Sequence, residues 1–577
     1  FMPGFDFDDI DPSPADLAAP IYGLEAATDP VIACGPCGQC WVVFVAFTRG
    51  GQSMMTVARF EDTNVGGDSW QYNGMTVLEV GNNAENGHFV DKPHINLDLF
   101  RPTGADECAT RVYVSYSTFT GQNDDGKIQS KINFMSSEDG GLTWEKAKIN
   151  QPYTQNQGSV IAVDPRPGEP KNGGGGTVYL IWRHFFGPDT MVMTKTLDYG
   201  KKWSKPTELI GGTPMAAFDQ PTISTDIAPF DPLTDINFRS NGFPTATVTD
   251  DGTLFAAWQE RVDITSGSPT LGQPDPLGSP RIVVTNSIDG GDTWTARQAV
   301  DFGDRTEGFD PVLEGGLTAP ARASGPQVMP DLSFGGGQLM LAYYESMGII
   351  GKDPVTKKEV IQPPPPQLSP TTGFMSGYDR VFNLRAALLD PVTGALLEPG
   401  STSQVSRYPI LFGSDLSDGQ DLEEVAPINP PCQPGSTLDP NNPNPPCVRQ
   451  VARNNAPQSK AGTAPFIGDY IDLVPTVPFV YDYGDPGEPG QWRWATQAGD
   501  VPYQGFRTVF ADNRHLVPPT EPDYLQEWER YPDYGPPKIG GACLNAGSRN
   551  TDVLTSLVDT SVVLSAPVTN QQLSNER

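Results

Sequence analysis

The sequence is poor in the residues that several common kinds of site require. It has 577 residues but only four histidines, which leaves little material for a histidine-based zinc site. Lysine and arginine number 38 against 70 aspartates and glutamates, so the net charge is −32. No basic stripe is present to displace counterions, and nucleic-acid binding is therefore not expected. No apolar run is long enough to span a bilayer, and no long helical period is present.

Glycine and proline, in contrast, are plentiful. The 61 glycines and 58 prolines make up about a fifth of the chain, which is rich in turns but below the range typical of disorder. Together with the missing helical period, this composition predicts an all-β protein with many short connections.

A short phrase recurs along the chain. Residues 137–144 read S-E-D-G-G-L-T-W and residues 287–294 read S-I-D-G-G-D-T-W, while a degenerate copy at 196–203 reads T-L-D-Y-G-K-K-W. Each copy follows a strand-like run. An Asp-Gly-Gly sequence between two strands is typical of a β-hairpin turn, because glycine adopts positive φ and aspartate accepts hydrogen bonds from the backbone of its own turn. A phrase returning every 50–100 residues or so indicates a repeat architecture.

The residues that define the three copies are predicted to be structural. Serine and aspartate would satisfy turn amides, and tryptophan would pack at the edge of a small sheet. They are Ser137, Asp139, Gly141, Trp144, Asp198, Gly200, Trp203, Ser287, Asp289, Gly291 and Trp294.

These phrases resemble the Asp box of the sialidase and BNR-repeat superfamily. The resemblance implies a six-bladed β-propeller of four-stranded antiparallel blades, with the boxes on the face opposite any active site. Runs that end in aspartate and precede an alternating strand, such as 92–98 and 159–164, support a count of six blades.

The predicted domain organisation follows from this count. An acidic extension over 1–28 precedes the propeller at 29–560, and 561–577 forms an extension that would lead to further domains. Proline-rich insertions interrupt the blades at about 352–372, 413–461 and 515–548.

The resemblance also implies a set of catalytic residues if the protein is an enzyme. Sialidases clamp a carboxylate with three arginines and use a tyrosine nucleophile activated by a glutamate, with an aspartate as acid and base. The matching positions are Arg183, Arg239, Arg261 and Arg514 for the clamp, Tyr344 with Glu260 or Glu345 for the nucleophile, and Asp91 for the acid.

The sequence departs from the family pattern at an important place. The Phe/Tyr-Arg-Ile-Pro phrase that carries the first arginine of the family is absent, and the string at 100–102, F-R-P, lacks the isoleucine. We therefore predict a secreted or cell-surface propeller that acts as a non-catalytic binding or structural module for a glycan, a protein partner or an oligomeric or filamentous surface assembly. The alternative is an exo-acting glycoside hydrolase of the sialidase type.

The seven cysteines fit an oxidising compartment. Cys432 and Cys447, in a loop rich in proline and asparagine, are predicted to form a disulfide staple. Cys34, Cys37 and Cys40 lack a fourth metal ligand nearby, which favours disulfides, with Cys108 and Cys543 as candidate partners.

No cofactor is expected to be required, although calcium is compatible with the acidic loops. Asp124 and Asp125 are the candidate ligands, because calcium binds several oxygens on a tight turn. A solvated acidic loop is the alternative interpretation.

Overall fold

The computed structural model describes residues 14–48, 50–63, 70–99, 108, 110–121, 129–151, 155–167, 170–172, 175–185, 187–211, 214–218, 241–264, 267–276, 278–302, 322–352, 359–362, 367–368, 375–376, 382–397, 402–405, 471–483, 490–502, 505–512 and 552–558. Nearly all regular structure in these ranges is β-sheet. The helices are short: α1 (Pro14–Ala18), α2 (Asn83–Asn86) and one 3₁₀ turn (Pro170–Asn172). Within the described part of the chain, no helix has the length and apolarity needed to cross a membrane.

The first four blades are four-stranded antiparallel sheets whose strands follow one another in chain order. Blade 1 contains β1 (Ala26–Cys34), β2 (Gln39–Phe47), β3 (Gln52–Asp62) and β4 (Trp70–Asn82). Blade 2 contains β5 (Phe89–Asp98), β6 (Arg111–Thr120), β7 (Gln129–Ser137) and β8 (Glu145–Ala147). Blade 3 contains β9 (Asn156–Val163), β10 (Val178–His184), β11 (Thr190–Thr196) and β12 (Thr207–Glu208). Blade 4 contains β13 (Thr245–Val248), β14 (Leu254–Val262), β15 (Ser279–Ser287) and β16 (Gln298–Ala299).

The last two blades are less regular. Blade 5 pairs β17 (Arg322–Gly335), β18 (Gln338–Lys352), β22 (Phe382–Leu389) and β23 (Thr402–Gln404), with β19 (Glu359–Gln362) added to the far end of β18. A separate small ribbon joins β20 (Gln367–Leu368) and β21 (Met375–Ser376). Blade 6 pairs β24 (Asp472–Pro475), β27 (Phe506–Asp512) and β28 (Asp552–Val558). Between β24 and β27 the chain forms a separate hairpin of β25 (Phe479–Asp482) and β26 (Gln491–Trp494).

The hydrophobic cores lie between neighbouring blades, one for each of the five consecutive pairs from blade 1 to blade 6. Because the middle strands are covered on both faces, they read as continuous apolar runs, and every residue of β10 is buried. A sixth cluster lies on the other face of blade 1, where Ile21 and Leu24 cover its strands, and Trp494 of β26 packs against the core between blades 1 and 2. The predicted six-bladed β-propeller is thus confirmed.

The repeated phrase forms the turn between the third and fourth strands of blades 2, 3 and 4, here called the box turn. In the first copy, Asp139 Oδ1 accepts the backbone N–H of Leu142 at 3.0 Å and of Thr143 at 2.8 Å, and Ser137 Oγ accepts the N–H of Gly141 at 2.7 Å. The copy that starts at Ser287 repeats these bonds. In the degenerate copy Thr196 Oγ1 takes the place of the serine.

The last glycine of each box turn packs against the preceding blade. A Cβ added at Gly141 would lie 2.9 Å from Nε1 of Trp41, one at Gly200 would lie 2.6 Å from Phe134, and one at Gly291 would lie 2.3 Å from Met193. Trp41 also donates its indole N–H to Gly140 O at 2.9 Å. All three glycines have φ between +84° and +93°. The turns therefore need glycine both for backbone conformation and for close approach.

The cysteines described by the structure form two disulfides. Cys34 bonds to Cys40 at the hairpin of β1 and β2, and Cys37 bonds to Cys108, which joins blade 1 to blade 2. The disulfide interpretation of the Cys34/Cys37/Cys40 cluster and the partnership of Cys108 are confirmed, whereas Cys432, Cys447 and Cys543 lie outside the described residues.

Candidate functional site

A cavity of about 570 Å³ runs along the axis of the ring. Residues from the innermost strand of every blade line it, and its walls are mostly apolar. Because the innermost strands start here and the third strands end at the box turns, the cavity and the box turns lie on opposite faces. We call these the cavity face and the box face.

The innermost strands of blades 1, 2, 3 and 5 have a bulge where they reach the cavity. Asp29, Lys92 and Met329 have φ values of 56°, 54° and 51°, and a proline follows each of them. Gly158 occupies the corresponding place in blade 3, with a φ of 68°. The pairing register shifts at the same places, as expected for β-bulges. Left-handed backbone at non-glycine residues is costly and concentrates at functional sites.

In blades 2, 4 and 5, the residue that follows Pro93, Pro244 or Pro330 accepts a hydrogen bond from a neighbouring blade. His94 Nδ1 accepts the N–H of Ile161 at 3.3 Å, Thr245 Oγ1 accepts that of Leu332 at 3.1 Å, and Asp331 Oδ2 accepts that of Leu473 at 2.7 Å. Each bond runs from one innermost strand to the next. Since Nδ1 of His94 is the acceptor, its proton resides on Nε2. Burial lowers the pKa of His94 to about 4, so the ring is neutral at pH 7.

Two carboxyl groups meet at the wall between blades 5 and 6. Asp331 also accepts a hydrogen bond from the hydroxyl of Thr245, with 2.6 Å between Oδ1 and Oγ1. Burial, followed by the charge of Asp472, raises the pKa of Asp331 to about 8. Burial raises the pKa of Asp472 to about 6. At neutral pH the pair therefore retains about one proton, as neighbouring carboxylates that cannot both ionise do.

On the opposite wall, a buried lysine lies over an aromatic ring. Lys92 Nζ is 4.8 Å from the centroid of the Phe243 ring, a cation–π arrangement. The ring rests on the backbone of Gly158, where an added Cβ would lie 2.0 Å from Phe243 Cδ1. Glycine at 158 is therefore required for the ring to lie flat against the wall.

The two described residues of the predicted arginine clamp, Arg183 and Arg261, are not among the residues that line this cavity. Arg183 is fully buried and pairs with Asp189 at 2.5 Å, and its guanidinium lies over Phe185. Arg261 donates to Gly278 O at 3.1 Å and lies over Phe218. Arg239 and Arg514 lie outside the described residues.

The other predicted catalytic residues also have structural partners. Glu260 is fully buried, pairs with Arg297 at 2.7 Å, and accepts the backbone N–H of Ala216 at 2.8 Å. Tyr344 belongs to the hydrophobic core between blades 5 and 6.

Glu345 and Asp91 are placed in the same way. Glu345 lies 3.5 Å from Arg385, and Asp91 accepts a hydrogen bond from Gln157 Nε2 at 2.9 Å. None of these residues is among the described residues that line the cavity, and their catalytic roles stay predictions.

No metal-ligand set appears within the described ranges, where no three His, Cys, Asp or Glu side chains are grouped to hold an ion. The candidate calcium ligands Asp124 and Asp125 lie outside these ranges, so the calcium site stays a prediction.

Sequence reasoning missed the residues that the cavity does contain. Asp331, Asp472, His94 and the Lys92–Phe243 pair received no role, although 94 and 331 fall inside strands that were predicted. One signal was available: the dipeptides at 29–30, 92–93, 243–244 and 329–330 each end in proline and each precede an innermost strand or interrupt it. Such a dipeptide marks a bulge where a strand must leave its ladder.

The fold has counterparts among solved structures. The chain is similar to the GH93 α-L-arabinofuranosidase of Fusarium graminearum, solved with arabinobiose (11% identity, 82% of this chain and 94% of that chain covered, TM-score 0.30). It is also similar to the intramolecular trans-sialidase of Ruminococcus gnavus (11% identity, 65% of this chain and 94% of that chain covered, TM-score 0.31). A third similar structure is a mutant of the NanB sialidase of Streptococcus pneumoniae (10% identity, 65% of this chain and 60% of that chain covered, TM-score 0.32).

No protein-family model matches the sequence, and a search of curated proteins finds none similar to it. At these identities the likeness concerns the fold alone, which the strand pairing establishes independently. The chain has the six-bladed β-propeller fold that its repeated phrase predicts.

Proposed function

We propose that this protein is an extracellular propeller that binds a carbohydrate in its central cavity without cleaving it. The observation that carries the proposal is the cavity itself. It is concave, mostly apolar, and about 570 Å³ in volume, with a few convergent polar groups. This combination is typical of small-molecule sites, where apolar walls supply contact and a few polar groups fix orientation.

The partners of the predicted catalytic residues support a non-catalytic role. A nucleophilic tyrosine has to reach the substrate, but Tyr344 is 2% exposed and packs in a hydrophobic core. Of its two candidate activators, Glu260 is neutralised by Arg297 and Glu345 lies 3.5 Å from Arg385. A buried ion pair of this kind is held by its geometry and is not available to move a proton to a ligand.

The extracellular location is supported by the two disulfides. Such bonds persist in oxidising compartments and are rare in reducing ones. The acidic composition is compatible with a secreted protein that remains soluble.

The test is binding of the purified protein to an oligosaccharide panel, followed by calorimetry on the hits. Asn241 lines the cavity, so Asn241→Trp should fill it and abolish binding while leaving the melting temperature nearly unchanged. Glu145→Trp places the same bulk at an exposed position on β8 and is the control. Absence of binding to every oligosaccharide, or binding that survives Asn241→Trp, would reject the proposal.

A second candidate function is exo-acting glycoside hydrolysis, and the Asp331/Asp472 pair favours it. Two carboxyls with separated pKa values are what a general acid and a charged partner require. Fluorogenic sialosides and α-L-arabinofuranosides test it directly. Turnover that disappears in Asp472→Asn would replace the binding-only proposal with this one.

A further inference from the structure

The charges along the cavity wall are unbalanced. Among the described residues that line it, Asp29, Asp331 and Asp472 carry carboxyl groups and Lys92 alone carries a side-chain amine. The remaining titratable group there is His94, whose ring is neutral at pH 7 because burial lowers its pKa to about 4. The wall therefore presents an excess of negative charge to any ligand.

The one ammonium group is already engaged. Lys92 is 4% exposed, and its Nζ lies over the Phe243 ring, whose electron-rich face stabilises the positive charge. No guanidinium lies among the described lining residues, so nothing there could grip a carboxylate with two parallel hydrogen bonds. A carboxylated ligand would meet repulsion without a compensating clamp.

We propose that the cavity, as the carbohydrate site proposed above, selects sugars that bear an amino group and rejects sugars that bear a carboxylate. A protonated amine supplies three donors, and carboxylate acceptors are available on two sides of the cavity. Charge-assisted hydrogen bonds are about twice as strong as neutral ones, and they strengthen where water is displaced. The inference rests on the proposed function and names its ligand class.

A proton should leave when such a ligand binds. The Asp331/Asp472 pair holds about one proton at neutral pH, because burial and mutual repulsion disfavour two charges. An ammonium group beside the pair removes that repulsion and favours the doubly ionised form. Amine binding should therefore release part of a proton, whereas binding of a neutral sugar should release none.

The experiment compares three trisaccharides of similar size by calorimetry at about pH 6.5, below the pKa of an ordinary α-amino group. They are the glucosamine trimer, the N-acetylglucosamine trimer and trigalacturonate, which are cationic, neutral and anionic. We expect the glucosamine trimer to bind about tenfold or more tightly than the neutral trimer and trigalacturonate to bind weakest. Repeating the titration in buffers of different ionisation enthalpy measures the released proton.

Two cavity variants should change the preference in opposite directions. Asp472→Asn removes an acceptor charge and should reduce the advantage of the glucosamine trimer to about threefold or less. Lys92→Met removes a like charge and should increase affinity for that trimer about threefold. Asp292→Asn, at a 70% exposed side chain on the box face, should change neither, and melting curves verify that each variant is folded.

The outcomes separate this inference from the proposal beneath it. Equal affinity for the cationic and neutral trimers, tightest binding of trigalacturonate, or an unchanged preference in Asp472→Asn would overturn the amine selectivity while carbohydrate binding stands. Failure of every oligosaccharide in the wider panel to bind would reject carbohydrate binding, and the selectivity with it.

Discussion

On the box face, three blades build closely similar turns, whereas on the cavity face three blades bring a different residue to the same position. Two box turns repeat the same hydrogen bonds, and in the third a threonine replaces the serine and Lys202 replaces the threonine whose hydroxyl bonds the aspartate. The corresponding cavity positions, in contrast, hold His94, Thr245 and Asp331. Both faces join neighbouring blades, but repetition marks the face whose turns are structural, and variation within a fixed frame marks the face for which we propose ligand recognition.

The two faces also treat aspartate in opposite ways. On the box face, bonds from the hydroxyl and N–H of Thr293 lower the pKa of Asp289 to about 2. On the cavity face, burial raises the pKa values of Asp331 and Asp472. Hydrogen bonds stabilise the ionised carboxylate on the box face, whereas burial disfavours the ionised carboxylates on the cavity face.

The largest expected effect tests two glycines with the same φ of +68°, Gly158 on the cavity face and Gly140 on the box face. An added Cβ meets nothing within 4 Å at Gly140 but would lie 2.0 Å from Phe243 at Gly158. Gly140→Ala should cost about 1–2 kcal/mol from backbone strain alone. Gly158→Ala adds overpacking and should cost about 2–5 kcal/mol. Urea denaturation measures the free energy of unfolding of both variants. Equal losses would show that the packing of the Phe243 ring does not require glycine at 158.

The second prediction concerns pH on the cavity face. The folded protein holds protons on Asp331 and Asp472 at pH values where unfolded carboxyls have lost them. Their contribution to stability is thus fully present below about pH 4 and is lost as the pH rises towards about 8. Asp472→Asn should reduce this slope and raise the free energy of unfolding at pH 8 by on the order of 1–3 kcal/mol. Denaturation at pH 5 and pH 8 checks this, with Asp292→Asn as control, and an unchanged slope would contradict it.

The third prediction concerns the opposite slope on the box face. The lowered pKa of Asp289 means that its contribution is present above about pH 4 and is lost as the pH falls towards about 2. Asp289→Asn keeps one acceptor oxygen but loses the charge, and should cost about 1 kcal/mol at pH 7, because the site is exposed. The difference from wild type should shrink at pH 2.5, as thermal melts at both pH values would reveal. A difference that persists in acid would exclude a role for the charge.

The smallest effect is expected at the degenerate box turn. Tyr199 has a φ of 61° where the other copies have glycine, and the Arg111 guanidinium lies 3.8 Å from its ring centroid. Tyr199→Gly removes both the strain and the cation–π contact, so stability should change by less than about 1 kcal/mol. Tyr199→Ala keeps the strain of the wild type and loses only the contact, and should cost about 0.5–1 kcal/mol in a melting assay. Equal effects of the two substitutions would show that the left-handed backbone carries no cost here, and wild-type stability in Tyr199→Ala would show that the ring contributes nothing.

The architecture could be predicted because its signals are local. The box phrase contains its own serine, aspartate and glycines within eight residues, and the buried middle strands appear as runs such as 178–183. The hairpin of β25 and β26 was missed, since it is a two-stranded excursion with no repeat partner.

The cavity could not be predicted in the same way. Asp331 and Asp472 are separated by 141 positions in sequence and meet only when blades 5 and 6 are in place. Their raised pKa values arise from burial, which neither residue type indicates. The left-handed backbone at Lys92 and Met329 was equally invisible, because neither residue favours that conformation.

The contact between each box glycine and the blade before it gives the ring a direction. Trp41, Phe134 and Met193 each pack against the box glycine of the following blade, so every one of these contacts runs from one blade to the next in chain order. Blades 2 and 3 each contain both a box glycine and the side chain that packs on the box glycine of the next blade, so a copy of either blade would supply both halves of the contact. The contacts all run in one direction, so a substitution at one of these three side chains should disturb the turn of the following blade and not that of the preceding one.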